Sequence, residues 1–257
     1  MSFKNFLKYL IPVAFLAGLP TLGLADGHAG ALDPKDAVGI SFWVISIAMV
    51  AATAFFFLES LRFSGKWRTS MVVGGLVTLV AAVHYFYMRE IWAATEASPT
   101  VFRYVDWIVT VPLQMVEFYL ILAACTAVAG GVFWRLFIGS LVMLIGGYLG
   151  EAGMINATIG FVVGMAGWIY ILYEIFAGEA GKVSAADAPA SVQSAFNTMR
   201  WIVTIGWAIY PLGYFLGYLA GGTDDATMNL IYNIADVLNK IGFCLAVWAC
   251  ASSESKA

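Results

Sequence analysis

The sequence predicts an all-α membrane protein: a seven-transmembrane helix bundle with its N-terminus outside and its C-terminus inside. Composition is the first reason. The chain is 61% hydrophobic and 11% charged, whereas soluble domains run near 45–50% apolar and about 25% charged. Length is the second: 257 residues suit about seven spans of ~20 residues with short loops, and leave no room for a large soluble domain besides. The third is the placing of Lys and Arg in alternate loops, which sets the orientation.

At the N-terminus, Lys4 and Lys8 flank or precede the apolar stretch Tyr9 to Leu24, and Gly23 and Ala25 put small residues just before Asp26. That is the pattern of a cleavable signal peptide over residues 1–25, leaving 26–257 as the membrane domain. Gly18, Pro20 and Gly23 interrupt the run and disfavour a full span there. Seven long apolar stretches follow: Ala37 to Phe63, Thr69 to Ala93, Val101 to Ala123, Val132 to Gly150, Ile155 to Phe176, Ala195 to Leu219 and Ala226 to Ala251. Turn signals separate them, including Ser64-Gly65, Ser98-Pro99, Gly130-Gly131 and Gly221-Gly222. Gly178 to Ser194 is the only long linker expected. Arg62, Lys66, Arg68, Arg135 and Lys182 mark the inner loops. Cys125, Cys244 and Cys250 lie in apolar runs and read as packing residues, with neither metal-site nor disulfide spacing. A net charge of −3 without a dense basic cluster excludes a nucleic-acid partner.

Ionisable side chains inside a bilayer are costly and mark pathways or counter-ions. The seventh stretch holds Asp236 and Lys240, four residues apart and so on one face. The third holds Arg103, Asp106, Thr110 and Glu117. Eleven residues separate Asp106 from Glu117, which places them on one face about 16 Å apart. Proton transfer across a membrane requires such a spaced row of titratable groups, with a movable carrier between them. Lys240 can supply that carrier, since a buried, neutral amine condenses with an aldehyde. Asp106 and Asp236 can balance the resulting cation, with Arg103 offsetting the second carboxylate. Taken singly, each residue has a plainer reading: a buried ion pair for Asp236 and Lys240, snorkelling for Arg103, helix-packing hydrogen bonds for Glu117 and Thr110. Their conjunction on two helices favours the pathway.

The third stretch from Arg103 to Glu117, together with Asp236-Val-Leu-Asn-Lys240, resembles the microbial rhodopsins and, among them, the proteorhodopsins. The resemblance covers all seven stretches. It implies a light-driven outward proton pump, a transporter rather than an enzyme, in the bacterial inner membrane. All-trans retinal would be attached to Lys240 as a protonated Schiff base. Asp106 would be counter-ion and proton acceptor, Asp236 the second counter-ion and Glu117 the donor from the inside. Trp207, Tyr210, Pro211 and Tyr214 fall along one helical face, and with Trp107 and Trp168 they would sandwich the polyene. Pro211 would kink its helix. His84 would contact Asp106 and raise its pKa. It would also meet Trp43 of a neighbouring protomer in a ring homo-oligomer, a pentamer or hexamer. Gln114, otherwise helix-to-helix glue, would tune absorption toward blue. A slow-cycling sensory photoreceptor of the same fold is the alternative, although Glu117 argues against it and no transducer is evident. Chloride and sodium pumps alter the Asp106, Thr110, Glu117 set. No metal is expected, and beyond the lipid bilayer and itself no partner.

Overall fold

The computed structural model describes residues 33–255, so the expected signal peptide lies outside the described residues. Seven helices in it are long and apolar enough to cross a membrane. These are α1 (Ala37–Ser60), α2 (Gly65–Thr95), α3 (Thr100–Cys125), α4 (Gly130–Glu151), α5 (Ala157–Asp187), α6 (Ala190–Leu219) and α7 (Asp225–Glu254). Their ends carry ordinary helix signals. Asp36 caps α1 by accepting from the Gly39 amide at 2.8 Å, and Asn156 caps α5 through the Thr158 amide at 2.9 Å. Asp224 caps α7 through the Thr227 amide at 2.8 Å. That amide holds the exposed Asp224 carboxyl below its ordinary value, because it stabilises the charged form. Glu96 ends α2 in the left-handed conformation, φ 54°.

The bundle inverts the polarity of a soluble protein. Val44, Ile47, Ile145, Val162, Ile205 and Leu238 face outward and are exposed, whereas Arg103, Asp106, Gln114, Glu117, Asp236 and Lys240 are buried. This arrangement suits hydrocarbon outside and a polar path inside. Lipid tails do not drive helices together by the hydrophobic effect, so close backbone packing must contribute. It does so between α4 and α5. A Cβ added to Gly160 would stand 2.6 Å from the Gly150 Cα, and one added to Gly146 would stand 3.0 Å from the Gly164 nitrogen. Small-residue spacing of four on both helices makes this seam.

The expected linker is mostly helical. α5 breaks at Ala177–Gly178, then resumes as Glu179–Asp187, and α6 begins at Ala190 after Pro189. Two causes overrode the loop reading: the Ala-rich composition favours helix, and Arg135 ties this segment down. Its Nε bonds Glu174 at 2.9 Å and its Nη2 bonds Glu179 at 2.6 Å. α6 and α7 are also locally unwound. Wider π turns occupy Ile202–Gly206 and Phe215–Leu219 in α6 and Val237–Gly242 in α7. Pro211 has no N–H to give the Trp207 carbonyl, which instead accepts from the Tyr210 amide at 3.1 Å.

Gly160→Val should wedge the α4–α5 seam apart and cost about 1–3 kcal/mol. A drop in the thermal unfolding midpoint, followed by circular dichroism in detergent, would register it, and an unchanged midpoint would show that the seam is not tight.

Candidate functional site

The site grows from Lys240, in the π turn of α7. It is 2% exposed, and a buried cation needs partners. Asp236, one turn earlier, supplies Oδ2 at 2.9 Å from Nζ. Asp106 of α3 supplies Oδ2 as the second acceptor of the same amine. The i,i+4 pair Asp236 and Lys240 thus meets Asp106 of α3 in one buried triad.

The two carboxylates are not equivalent. Asp236 Oδ2 also accepts from the Tyr85 hydroxyl at 2.8 Å, and its Oδ1 accepts from the Tyr210 hydroxyl at 2.6 Å. Both its oxygens are engaged. Among the described residues Asp106 has only Lys240 as a side-chain donor, and its Oδ1 has no hydrogen-bond partner. It therefore retains an oxygen free to take a proton, directly beside the amine.

Arg103 does not pair with either carboxylate. Its Nη2 donates to Asn229 Oδ1 at 2.6 Å and to Asn233 Oδ1 at 2.8 Å. Thr110 Oγ1 donates to the Asp106 carbonyl at 3.0 Å, the backbone bond usual for a helical threonine. His84 is half-buried and its Nδ1 lies 2.9 Å from the Val80 carbonyl. Among the described residues no hydrogen bond joins it to Asp106. Trp43 packs edge-on against Phe86 with centroids 5.8 Å apart, under the Arg89 guanidinium. Glu117 is 1% exposed, and among the described residues neither its carboxyl oxygens nor Ser70 Oγ on α2 has a hydrogen-bond partner.

Next to the triad lies a cavity whose empty volume, counted to its mouth, is about 770 Å³. Small-molecule pockets fall in this range. Trp107, Val111 and Gln114 of α3 line one side, and Met143 and Gly147 of α4 and Phe161, Met165 and Trp168 of α5 line the next. Trp207, Tyr210, Pro211 and Tyr214 of α6 complete the wall, and Lys240 and Asp236 close one end. All six aromatic or proline positions expected from sequence thus converge. Trp168 is oriented by its Nε1 donating to the Val203 carbonyl at 3.0 Å. Gln114 Nε2 donates to the Asn239 carbonyl at 2.8 Å, beside Lys240. A slot walled by aromatics and ending on a buried amine fits a long, apolar aldehyde such as retinal.

Several members escaped the sequence reading. Tyr85, Asn229 and Asn233 carry no motif of their own, and Asn239 figured only as part of the run from Asp236 to Lys240. Asn239 joins α7 to α6 by donating to the Gly206 carbonyl at 3.0 Å. Only their unusual depth in apolar helices could have flagged them.

Residues 36–254 match the family model described as "Bacteriorhodopsin-like protein". The chain belongs to the bacteriorhodopsin-like family. Within it, the chain is 52% identical to the green-light absorbing proteorhodopsin of Gamma-proteobacterium EBAC31A08, over 97% of this chain and 99% of that one. It is 51% identical to the blue-light absorbing proteorhodopsin of Gamma-proteobacterium Hot 75m4, over 96% and 98%. The fold matches the crystal structure of blue light-absorbing proteorhodopsin from Med12 with a TM-score of 0.73 at 52% identity, covering 85% of this chain and 100% of that one. Xanthorhodopsin, whose structure is described as a light-driven ion pump with dual chromophore, matches with a TM-score of 0.76 at 25% identity, over 88% and 96%. These family members place the protein among multi-pass membrane proteins.

Tyr85→Phe and Tyr210→Phe each strip one hydrogen bond from buried Asp236 and should each destabilise the fold by about 1.5–3 kcal/mol. Thermal melts of the two variants check this, and wild-type melts for both would mean that Asp236 does not depend on them.

Proposed function

We propose that this protein is a light-driven outward proton pump carrying all-trans retinal covalently on Lys240, in the bacterial inner membrane with its N-terminus outside. The observation that carries the reading is the unequal pair of carboxylates around one buried amine, beside an aromatic cavity. The kinship with proteorhodopsins supports it. Bound retinal would supply light absorption and an isomerisation that reorients the proton on Lys240 Nζ.

The chain's own residues do the rest. Asp106 receives that proton: its Oδ2 already accepts from Lys240 Nζ, and its Oδ1 has no competing donor. Asp236, fixed by Tyr85 and Tyr210, keeps its charge and holds the amine in place. Glu117, about 16 Å farther along α3, returns a proton from the inside. Its carboxyl is buried without a protein hydrogen-bond partner, so this return waits for the inner ends of the helices to part, and the unwound α6 is the element suited to move. Arg103 keeps a positive charge on the outer side of the triad. Trp107, Trp168, Trp207, Tyr210, Pro211 and Tyr214 restrict the polyene to one shape and exclude water.

Gln114 gives the cavity a polar wall near Lys240, which favours blue absorption. His84 and Trp43 remain available for a ring homo-oligomer: each protomer's His84 would reach Asp106 once a neighbour's Trp43 oriented it.

The deciding experiment is the pH outside intact cells making this chain with all-trans retinal, under blue light, with and without a protonophore. Acidification abolished by the protonophore is expected. A coloured protein without that signal would favour a sensor, and a colourless one would remove retinal from the account. Lys240→Ala should form no covalent pigment. Asp106→Asn should keep colour and lose pumping, and Glu117→Gln should slow the proton return about a hundredfold. Because Asp106 must be ionised to receive a proton, pumping should fall as external acid protonates it and recover on return to neutral pH.

A further inference from the structure

The first widened turn of α6, Ile202–Gly206, is pinned from outside its own helix. A carbonyl within a helix is ordinarily met by the amide four residues on, or five residues on in a π turn. For Gly206 those positions are Tyr210, whose amide is given to the Trp207 carbonyl at 3.1 Å, and Pro211, which has no N–H. A carbonyl left without a donor inside a membrane bundle is costly. Asn239 of α7 meets it. Its side-chain amide donates to the Gly206 carbonyl at 3.0 Å and to the Tyr210 hydroxyl at 3.2 Å. Only glycine permits this approach, since a Cβ at position 206 would fall on Asn239 Oδ1.

Asn239 is also the neighbour of Lys240, and both lie in the π turn Val237–Gly242. Its own carbonyl accepts from Gln114 Nε2 at 2.8 Å. The main chain beside the amine is thus tied to α3, and the side chain of the same residue is tied to α6. The Tyr210 hydroxyl joins this link to the triad by donating to Asp236 Oδ1 at 2.6 Å. Nothing in the charge balance of the triad calls for an amide at position 239, which is buried, and an apolar side chain would cost less to bury. What the amide does supply is a bond between the reactive amine's own turn and the orphaned carbonyl of α6.

We propose that Asn239 is the positioning residue that couples Lys240 to α6. In the dark the Asn239–Gly206 bond holds Ile202–Gly206 widened and the inner end of the bundle shut. A light-driven shift of Lys240 draws the amide off the Gly206 carbonyl. That carbonyl then regains a donor only if the turn rearranges or water reaches it. Either course displaces the segment Ala190–Trp201 and opens the way toward Glu117. Remaking the bond closes the helix. No covalent bond changes, and Asn239 passes no proton. This rests on the pump reading above.

The plainer role is a static tie between α6 and α7, and Asn239→Leu, similar in size but without donors, separates the two. Nitroxide labels on noncanonical residues at the exposed positions Ala127, just beyond α3, and Ser194, near the start of α6, report the inner spacing by pulsed electron paramagnetic resonance in the retinal-loaded protein. Light should widen this spacing in the wild type. Asn239→Leu should show roughly half that change or less, and the return of a proton to Nζ should slow about tenfold, the worth of one ordinary hydrogen bond. A static tie would lower the thermal midpoint of Asn239→Leu and leave the light-driven widening intact, and that result overturns the proposal. A wild-type spacing that light does not change overturns it as well. Should Asn239→Leu form no pigment, infrared spectra of wild-type protein with isotope-labelled glycine carbonyls decide. One labelled band should move to higher frequency on illumination, as a carbonyl losing its donor does, and Gly206→Ala should lack it. No moving band, or one that persists in Gly206→Ala, overturns the coupling. A wild-type protein that forms pigment and widens at α6 but never acidifies the medium would instead overturn the pump reading.

Discussion

Much in this bundle depends on keeping the positive charge of Lys240 inside a membrane. Lys240 is buried to 2% exposure, where an unpaired ammonium would be prohibitively costly. The two carboxylates that make it tolerable come from different helices, so the charge also fixes how α3 and α7 face each other. Asp236 then has to be held, and Tyr85 and Tyr210 bring α2 and α6 to it. Four of the seven helices are thus oriented by a single amine. The cost of breaking such a pair is far larger than the gain from making it, which is why the arrangement specifies geometry more than it adds stability.

The two sides of that charge differ in character. One side is polar: Arg103 is gripped by Asn229 and Asn233, and Asn233 reaches Ser41 of α1 at 2.9 Å. The other side is aromatic. Phe118, beside Glu117, packs edge-on against Phe196 and Phe243 with centroids 5.0 and 5.7 Å away. A proton can wander through hydroxyls, amides and water, but not through packed phenyl rings. On the proposed function, the polar side suits proton movement and the aromatic side resists it.

The spans were legible because hydropathy over twenty residues is a strong signal, and Asp236 with Lys240 because a helical period of four is unambiguous within one helix. Asp106 and Glu117 were legible for the same reason. What lay beyond reach were the relations between helices. Nothing in α2 says that Tyr85 faces Asp236, or in α7 that Asn229 and Asn233 take the hydrogen bonds that a simple charge count assigned to a carboxylate partner for Arg103. The stretch after Phe176 read as a linker because it is rich in small residues, yet Arg135 on another helix supplies the contacts that hold it helical. The π turns also defeat a strict 3.6-residue count, so faces extrapolated through Lys240 drift by about a residue.

The glycine seam and the π turns have a joint mechanical meaning. Between α4 and α5 backbones touch with no side chains as padding, and interfaces packed that tightly do not slide by small degrees. α6 has two turns already widened and a proline that has broken its ladder. The bundle is thus divided into a stator and a limb: strain released beside Lys240 meets a wall on one side and a compliant helix on the other. On the proposed function, work done at the amine is directed to α6, the helix with two widened turns.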